Sequence, residues 1–295
     1  MAAKYMIQQV EKVVAEAEFL KDLIQSAFIP QLMGVYESPL QCILVTEFLA
    51  GGDLVTRTAQ DSYRLTERKC QIFLRQIVRG VQYIHSQRII HLDLKPFNIM
   101  FSNPDDDYNL RIIDFGLAEK LGEGEERVDM RMCGTLEYMS PEVMDCKFAS
   151  PASDMWGVGS IAYLLVSGGV SPFWGGNRSA KVVWAVLGKP FLPRYRTMAR
   201  TLKCQYTFDM PNFDKVSDNA KDFISSLLVL SAEERFTAEQ CLNHPWLTDN
   251  RVSQSNHINL SRYFQILMVS YLVPLTDRTL LRCMKTSFTA WRQTG

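Results

Sequence analysis

The segment from residue 89 to residue 116 constrains this chain more than any other part of its sequence. Short apolar runs predict strands on both sides of a polar loop, and a further apolar run ends at residue 113. The loop and the end of that last run carry four polar side chains: Asp93, Lys95, Asn98 and Asp114. Together they supply the groups that phosphoryl transfer requires.

Each of these side chains suits a separate task in such a reaction. We expect Asp93 to orient a substrate hydroxyl and accept its proton. Lys95 lies two residues further along an extended loop, so it points the same way and is expected to neutralise charge on the transferred phosphate. Asn98 and Asp114 carry the oxygen ligands that magnesium prefers, which makes them the predicted metal ligands.

The run from His91 to Asn98 resembles the catalytic loop of eukaryotic protein kinases, with Leu92 where Arg is usual. The run Asp114–Gly116 resembles the metal-binding motif that follows it. A lone His-x-Asp is weak evidence for a catalytic loop. Because both motifs occur in this order, an ordinary surface loop with common polar residues is a remote alternative. The resemblance covers about residues 1–248 and implies the bilobal protein-kinase fold, of the α+β class, with ATP and magnesium as cofactors.

The resemblance also implies how the chain is divided. Residues 1–50 are expected to form a partial small lobe, residues 51–248 a mainly helical large lobe, and residues 249–295 a C-terminal tail with a regulatory or calmodulin-binding role. Nothing before Lys4 resembles a Gly-x-Gly-x-x-Gly loop, so the first two strands of the β-lobe and that loop are expected to be absent. The chain is then either a fragment of a larger kinase or a kinase that has lost normal ATP binding.

Composition argues against several other classes of protein. A formal net charge of zero gives no electrostatic case for nucleic acid or an anionic membrane as a partner. The seven cysteines form no CxxC pair and predict reduced intracellular thiols rather than a disulfide frame or a zinc site. No signal peptide opens the sequence, and the apolar run near residue 266 is too short to span a bilayer. The expected location is cytoplasmic, with cytoskeletal association as a further expectation.

Hydrophobic periodicity predicts the main elements. It indicates strands at residues 1–7, 32–36 and 41–48, and helices at residues 10–24, 65–86, 154–167, 220–230 and 238–242. Thr66 is the expected N-cap of the long helix, and Gly51-Gly52 is a candidate hinge between the lobes. Residues 189–203 and 250–277 show no clear period and are interpreted as a loop insertion or tail.

The run Gly134–Glu142 resembles the end of a kinase activation segment, with Ser140 in place of the usual Ala. The resemblance implies that Thr135 has a catalytic role and hydrogen-bonds near Asp93 and Lys95, a pattern typical of serine/threonine kinases. We use the name activation segment for residues 114–142.

Two further landmarks follow in the expected order. The run Asp154–Gly157 resembles the start of a buried helix that anchors the catalytic loop through its Asp, and Arg235 is expected to form a buried ion pair with Glu142. Leu92 replaces an Arg that binds activation-segment phosphate in many kinases, so we expect activity without such phosphorylation. The resemblance is strongest to myosin light-chain kinases, with the death-associated kinase branch next.

The resemblance implies a nucleotide site shared by both lobes. Lys4 is the expected ligand of the α- and β-phosphates, and Glu16 is its expected partner, with Glu18 as the alternative. Met100 and Ala2 are expected to enclose the adenine ring.

The link between the lobes is expected to complete the nucleotide site. Thr46 is the predicted gatekeeper, and Glu47 and Leu49 are expected to offer backbone groups to adenine. Asp53 is expected to reach the ribose or a basic residue of a peptide substrate. These four assignments rest on the resemblance alone.

The last segment, residues 280–295, is cationic with apolar residues between the charges, and it contains Trp291. A basic amphipathic helix with a Trp anchor suits the acidic groove of calmodulin, which makes calmodulin a candidate partner. The run from Trp291 to Gly295 also resembles the start of the calmodulin-binding segment of myosin light-chain kinase. A terminal helix packed on the large lobe is the alternative.

The expected function is therefore that of a magnesium- and ATP-dependent serine/threonine protein kinase that acts on a protein substrate. Two rivals belong to other classes. One is a pseudokinase scaffold with impaired ATP binding, and the other is a module that only binds calmodulin.

Overall fold

The computed structural model of this chain describes residues 2–6, 10–38, 41–60, 62–174, 191–249 and 257–258. Within these ranges, a small antiparallel sheet with one packed helix precedes a larger and mainly helical part. No helix in the described ranges is both long and apolar enough to cross a membrane.

The sheet of the small lobe has the strand order β1-β3-β2, with antiparallel pairs. Its strands are β1 (Ala2–Met6), β2 (Leu32–Ser38) and β3 (Gln41–Thr46). Lys4 of β1 lies opposite Leu44 of β3 in the register. All three predicted strands are confirmed. The strand β2 extends to Ser38, beyond the predicted end at residue 36, and β3 ends at Thr46, before the predicted end at residue 48.

One helix, α1 (Val10–Asp22), packs against this sheet. Its buried side chains include Val13, Ala17 and Leu20, whose spacing of three and four residues places them on one face of the helix. Glu16 lies beside this face and is only 4% exposed. The predicted helix is thus confirmed, and it brings a buried carboxylate to the inner side of the small lobe.

The large lobe contains the remaining described elements up to residue 248. Its helices are α2 (Leu54–Thr58), α3 (Glu67–Ser86), α4 (Pro141–Met144), α5 (Pro151–Val166), α6 (Phe191–Leu202), α7 (Asp218–Leu227), α8 (Ala238–Leu242) and α9 (Pro245–Thr248). Its strands are β4 (Leu65–Thr66), β5 (Ile89–Ile90), β6 (Ile99–Phe101), β7 (Leu110–Ile112) and β8 (Glu119–Lys120). A last strand, β9 (His257–Ile258), lies in the segment predicted as a tail. These strands pair as β4-β9, β5-β8 and β6-β7, all antiparallel.

Two helices, α3 and α5, form the centre of the large lobe. Thr66 caps α3, since its hydroxyl oxygen accepts a hydrogen bond from the N–H of Lys69 at 3.3 Å. The side chains of α5 are buried on nearly every face, including Trp156 and Tyr163, and the helix packs against α3 and α7. These features confirm the predicted cap and the predicted buried helix.

The expectation of a loop at residues 189–203 was wrong, because residues 191–202 form α6. Its buried face includes Thr197, Met198 and Thr201, which share one side of a helix. Two of these three are threonines, so the buried face produced no apolar period in the sequence. Pro193 lies in the first turn, where a helix tolerates proline.

The segment 250–277 is described only at β9, where Ile258 pairs with Leu65 of β4. The chain after α9 therefore returns to the residues that immediately precede α3. The predicted calmodulin-binding segment, residues 280–295, lies outside the described residues.

A buried ion pair links α4 to the segment before α8. Arg235 donates to both carboxylate oxygens of Glu142, at 2.9 and 3.2 Å, as the sequence predicted. Arg235 also donates to the carbonyls of Ala152 and Val229, and Ser153 donates its hydroxyl to Glu142 at 2.8 Å. Both charged groups are therefore surrounded by hydrogen-bond partners, which a buried pair requires.

We expect Glu142→Gln to lower the free energy of unfolding by about 3 kcal/mol at neutral pH, because it leaves the Arg235 charge buried without a counter-charge. Lys120→Gln is the control: it removes an ion pair to Asp22 whose side chains are 54% and 42% exposed, so its cost should stay below about 1 kcal/mol. Urea unfolding of both variants measures the difference. Equal losses would contradict the proposed role of the buried pair.

The same comparison has a pH dependence. Burial tends to raise the pKa of Glu142, but the hydrogen bonds and charge of Arg235 hold it below its ordinary value near 4.5. A carboxylate whose pKa is lower in the folded state than in the unfolded state stabilises the fold at any pH above its unfolded-state pKa. This stabilisation is lost as the pH falls through the folded-state pKa. The difference in the free energy of unfolding between the wild type and Glu142→Gln should therefore become smaller as the pH is lowered through this range.

Candidate active site

The carboxylate of Asp154, near the start of α5, holds the backbone of the catalytic loop, residues 91–98. Its two oxygens accept hydrogen bonds from the N–H groups of His91 and Leu92, both at 2.8 Å. Leu92 has a φ of +64°, in the left-handed region that residues other than glycine rarely adopt. His85 Nε2 lies 2.9 Å from the same carboxylate. The strained turn of the loop is thus fixed by a buried acceptor.

The ring of His91 joins this loop to the strand end before Asp114. Its Nδ1 accepts the N–H of Asp93 at 3.2 Å, which assigns the ring proton to Nε2. Nε2 then donates to the carbonyl of Ile113 at 3.0 Å. The ring is fully buried and lies 4.9 Å from that of Phe115. His91 therefore acts as a structural brace between the two predicted motifs.

Four of the predicted side chains meet at Asp93. Thr135 donates its hydroxyl to Asp93 Oδ1 at 2.7 Å, and Lys95 Nζ donates to both Asp93 Oδ2 and Thr135 Oγ1. Asn98 Nδ2 donates to the carbonyl of Asp93 at 2.9 Å and to its Oδ2 at 3.2 Å. The side chain of Asp93 is 8% exposed. The carboxylate is thus oriented from three sides.

Asp114 follows β7 with a φ of +66°. The preceding Ile113 donates its N–H to the carbonyl of Asn98 at 2.9 Å, so the two predicted metal ligands lie on adjoining strand ends. Because the amide nitrogen of Asn98 is engaged by Asp93, its side-chain oxygen is the atom that remains to bind a cation. An amide oxygen and a carboxylate suit magnesium, which uses few protein ligands and keeps several waters.

A cavity of about 300 Å³ lies between the lobes, and Asp114 is one of the residues that line it. It is lined by Glu16, Leu20, Pro30, Leu44, Thr46, Glu47, Phe48, Leu49, Met100, Ile113 and Asp114. Six of the predicted nucleotide-binding residues are among them. A largely apolar cleft of this size with a few polar groups is typical of a small-molecule site.

The link between the lobes, residues 47–52, is hydrogen-bonded to the small lobe at one end and to the large lobe at the other. Glu47 donates its N–H to the carbonyl of Gln31 in the small lobe at 2.8 Å. In the large lobe, the N–H of Gly51 and the carbonyl of Gly52 bond to the backbone of Phe101. Leu49 lines the cavity, and within the described chain its N–H and C=O make no backbone hydrogen bond.

Glu16 contacts the activation segment directly. Its Oε1 accepts the N–H of Phe115 at 3.2 Å, which attaches α1 to the residue after Asp114. The backbone of Lys4 lies in β1, but its side chain and that of Ala2 are outside the described residues. The predicted Lys4–Glu16 pair therefore stays a prediction.

Asp53 does not line the cavity. Its Oδ1 caps α2 by accepting the N–H groups of Val55 and Thr56, at 3.1 and 2.9 Å. Asp53 also forms an isolated backbone bridge with Met100, which does line the cavity. The structure thus gives Asp53 a capping role. Its contact with the ribose or with a basic residue of a peptide substrate stays a prediction.

The site also contains residues that the predictions from sequence did not include, among them Leu20, Leu44 and His85. Leu44 lies two residues before Thr46 on β3, and Leu20 lies four residues after Glu16 on α1, so strand and helix periodicity could have found both. His85 carried no comparable signal, since its contact with Asp154 joins α3 to α5 and depends on tertiary packing.

With this geometry established, comparison with known proteins identifies the family. Residues 1–247 match the protein kinase domain family, and the chain belongs to that family. Myosin light chain kinase 2, skeletal/cardiac muscle, from Bos taurus is 36% identical over 278 residues, which cover 92% of this chain and 41% of that protein. Myosin light chain kinase 3 from Danio rerio is 40% identical over 243 residues, or 82% of this chain and 31% of that protein. The chain thus spans less than half the length of these relatives.

Solved structures agree with this assignment. The twitchin kinase region from C. elegans matches 90% of this chain and 45% of its own chain, with a TM-score of 0.78 and 30% identity. The autoinhibited serine kinase domain of the giant muscle protein titin matches 89% of this chain and 78% of its own, with a TM-score of 0.74 and 29% identity. The predicted kinase fold, which combines helices and sheets, and the predicted likeness to myosin light chain kinases are confirmed.

We expect Gly134→Ala to destabilise the activation segment more than Gly124→Ala. Both glycines have positive φ, +94° and +78°, but a Cβ on Gly134 would lie 2.6 Å from the carbonyl oxygen of Leu92, whereas one on Gly124 meets nothing within 4 Å. The expected losses in the free energy of unfolding are about 3 and about 1 kcal/mol. Urea unfolding measures both, and equal losses would show that the segment does not depend on this close approach.

Proposed function

We propose that this chain is the catalytic part of an ATP- and magnesium-dependent serine/threonine protein kinase of the myosin light-chain kinase type. In this proposal it transfers the γ-phosphate of ATP to a hydroxyl of a protein substrate. The observation that carries the proposal is the oriented carboxylate of Asp93. Its partner Asn98 is bonded through its carbonyl to Ile113, which lines the cavity together with Asp114. Family membership supports the same reaction class.

In this proposal Asp93 is the catalytic base. Its oxygens accept bonds from Thr135, Lys95 and Asn98, and a carboxylate has about four acceptor sites, so one remains for the substrate hydroxyl. The hydroxyl proton passes to this carboxylate as the oxygen attacks phosphorus. Thr135 and Lys95 fix the direction of the carboxylate, and Lys95 adds positive charge beside the reacting group.

Asn98 and Asp114 would hold magnesium through their side-chain oxygens. Bound magnesium neutralises charge on the phosphates of ATP and orients them for in-line transfer. Among the described residues, no group of three or more His, Cys, Asp and Glu side chains could hold a metal by itself. A site with two protein oxygens fits the way magnesium binds through substrate phosphates.

The cavity would receive the adenine. The backbone groups of Leu49 supply a donor and an acceptor at its wall, with Thr46 and Met100 beside them. Lys4 would contact the phosphates from β1, where it lies opposite Leu44. The strand β1 lies at an edge of the described sheet, which has the order β1-β3-β2.

The proposal also includes two partners of this chain, a protein substrate and a regulator. The substrate is a protein, and calmodulin is the candidate regulator through residues 280–295. We also propose a cytoplasmic location near the cytoskeleton, which is supported by the similarity to titin and to skeletal/cardiac muscle myosin light chain kinase.

We expect Asp93→Asn to lower kcat by about 100-fold or more, because an amide cannot accept the hydroxyl proton. The same variant should still gain thermal stability with Mg-ATP, since ligand binding to the folded state raises the midpoint. Asp218→Asn, at a fully exposed carboxylate, is the matched control and should retain turnover. If neither the wild type nor Asp93→Asn responds to millimolar Mg-ATP, the scaffold alternative is favoured and the proposed function fails.

Turnover should not depend on phosphate on the activation segment. Leu92 replaces the Arg that would bind such a phosphate, and it packs against an apolar cluster instead. Phosphatase-treated protein, checked by mass spectrometry, should therefore keep its rate within about twofold, a difference below about 0.5 kcal/mol. A loss of more than tenfold would contradict this expectation.

A further inference from the structure

The activation segment is held against the large lobe by an apolar cluster rich in methionine. Its half-buried members include Leu92 of the catalytic loop and Val128, Met130, Met132, Cys133 and Leu136 of the segment. They pack on a buried layer that contains three further methionines: Met139, Met144 and Met198. We call this set the segment cluster.

Two polar contacts mark the ends of the stretch that the cluster holds. At one end, Val128 exchanges backbone hydrogen bonds with Ala149, at 2.9 and 2.8 Å. At the other end, Thr135 donates to Asp93 at 2.7 Å. Between these two points, Met130 and Met132 contribute apolar packing, and Gly134 approaches the carbonyl of Leu92 closely. The position of Thr135 beside Asp93 therefore depends on apolar contacts three to five residues earlier.

The five methionines differ in exposure. Met139, Met144 and Met198 are 6%, 2% and 3% exposed, whereas Met130 and Met132 are half-buried and reachable from solvent. Oxidation of a thioether to a sulfoxide turns a flexible apolar side chain into a polar one, which disrupts apolar packing. Among these five methionines, only the half-buried Met130 and Met132 combine access to solvent with a place in the cluster.

Cys133, which follows Met132 in the segment cluster, has a thiol of low reactivity. Burial, together with the charge of Asp93, raises the pKa of Cys133 to about 11. The thiolate is the reactive form of cysteine, so little of it exists at neutral pH. The thioether sulfurs of Met130 and Met132 need no deprotonation, and peroxide should therefore act on them before it acts on Cys133.

We propose that Met130 and Met132 are a methionine-oxidation site through which peroxide releases the activation segment from the catalytic loop. In this step a lone pair of the thioether attacks one oxygen of hydrogen peroxide, an S–O bond forms and the O–O bond breaks. The other oxygen leaves as water after proton transfer, so each methionine is oxidised by two electrons and each peroxide is reduced by two. A sulfoxide in the segment cluster weakens its packing, and Thr135 loses its fixed position beside Asp93.

The test uses the full chain at neutral pH with hydrogen peroxide as the probe. Peptide mass spectrometry locates the sulfoxides, amide hydrogen exchange follows residues 121–140, and phosphotransfer is measured in parallel. In the wild type we expect sulfoxide at Met130 and Met132, faster exchange in that range, and a loss of turnover of about tenfold. Methionine sulfoxide reductases should reverse all three changes.

Two variants separate this site from other oxidation. The double variant Met130→Leu and Met132→Leu keeps apolar volume, so it should retain basal turnover and resist peroxide. Met33→Leu is the matched control, because Met33 on β2 is 56% exposed but lies outside the cluster, and this variant should remain sensitive. Recovery with dithiothreitol alone would assign the effect to cysteine, including the exposed Cys146, and overturn the proposal.

Hydrogen exchange keeps this inference separate from the proposed function. Oxidation of Met130 and Met132 with unchanged exchange in the segment would overturn the inference, whatever the turnover. Faster exchange upon oxidation in a protein that lacks turnover would support the inference and contradict the proposed function instead.

Discussion

The geometry of the site depends on one buried carboxylate, that of Asp154. It accepts the N–H groups of two consecutive residues, His91 and Leu92, and thereby holds Leu92 in a backbone conformation that a branched side chain otherwise avoids. That turn points Asp93 toward Thr135 and Lys95. The carboxylate itself is positioned by α5, whose apolar faces pack inside the large lobe, so the orientation of the site follows from the packing of the core.

The large lobe was largely predictable because its chemistry is local in sequence. Asp93, Lys95 and Asn98 lie within six residues of one another, and short apolar runs on both sides indicated the strands that carry them. The long helices α3 and α5 were also predictable, since their apolar side chains follow a clear pattern. The cap at Thr66 follows the same logic, as a hydroxyl placed just before a periodic run.

Other features depend on tertiary structure that no local pattern reveals. The helix α6 buries Thr197 and Thr201, and polar residues on a buried face conceal the helical period. The positive φ of Leu92 departs from the conformational preference of leucine. The carboxylate that accepts the N–H of Leu92 belongs to Asp154, which is distant in sequence. The role of Asp53 was hard to predict for a different reason. The sequence alone does not distinguish an aspartate that contacts a ligand in a cleft from one that caps a helix, and Asp53 caps α2.

The link between the lobes has a mechanical consequence. Glu47 is attached to the small lobe, and Gly51 and Gly52 are attached to β6, so the predicted glycine hinge is itself fixed to the larger body. Ala50 is attached to the same body, since its N–H donates to the carbonyl of Ser102 at 3.1 Å. Any rotation of the sheet relative to the helices then pivots at Phe48 and Leu49, the two residues between Glu47 and Ala50. A flat ring bound to the backbone of Leu49 would lie on the axis of that rotation, where displacement is smallest. The lobes could open and close around such a ring without breaking its contacts.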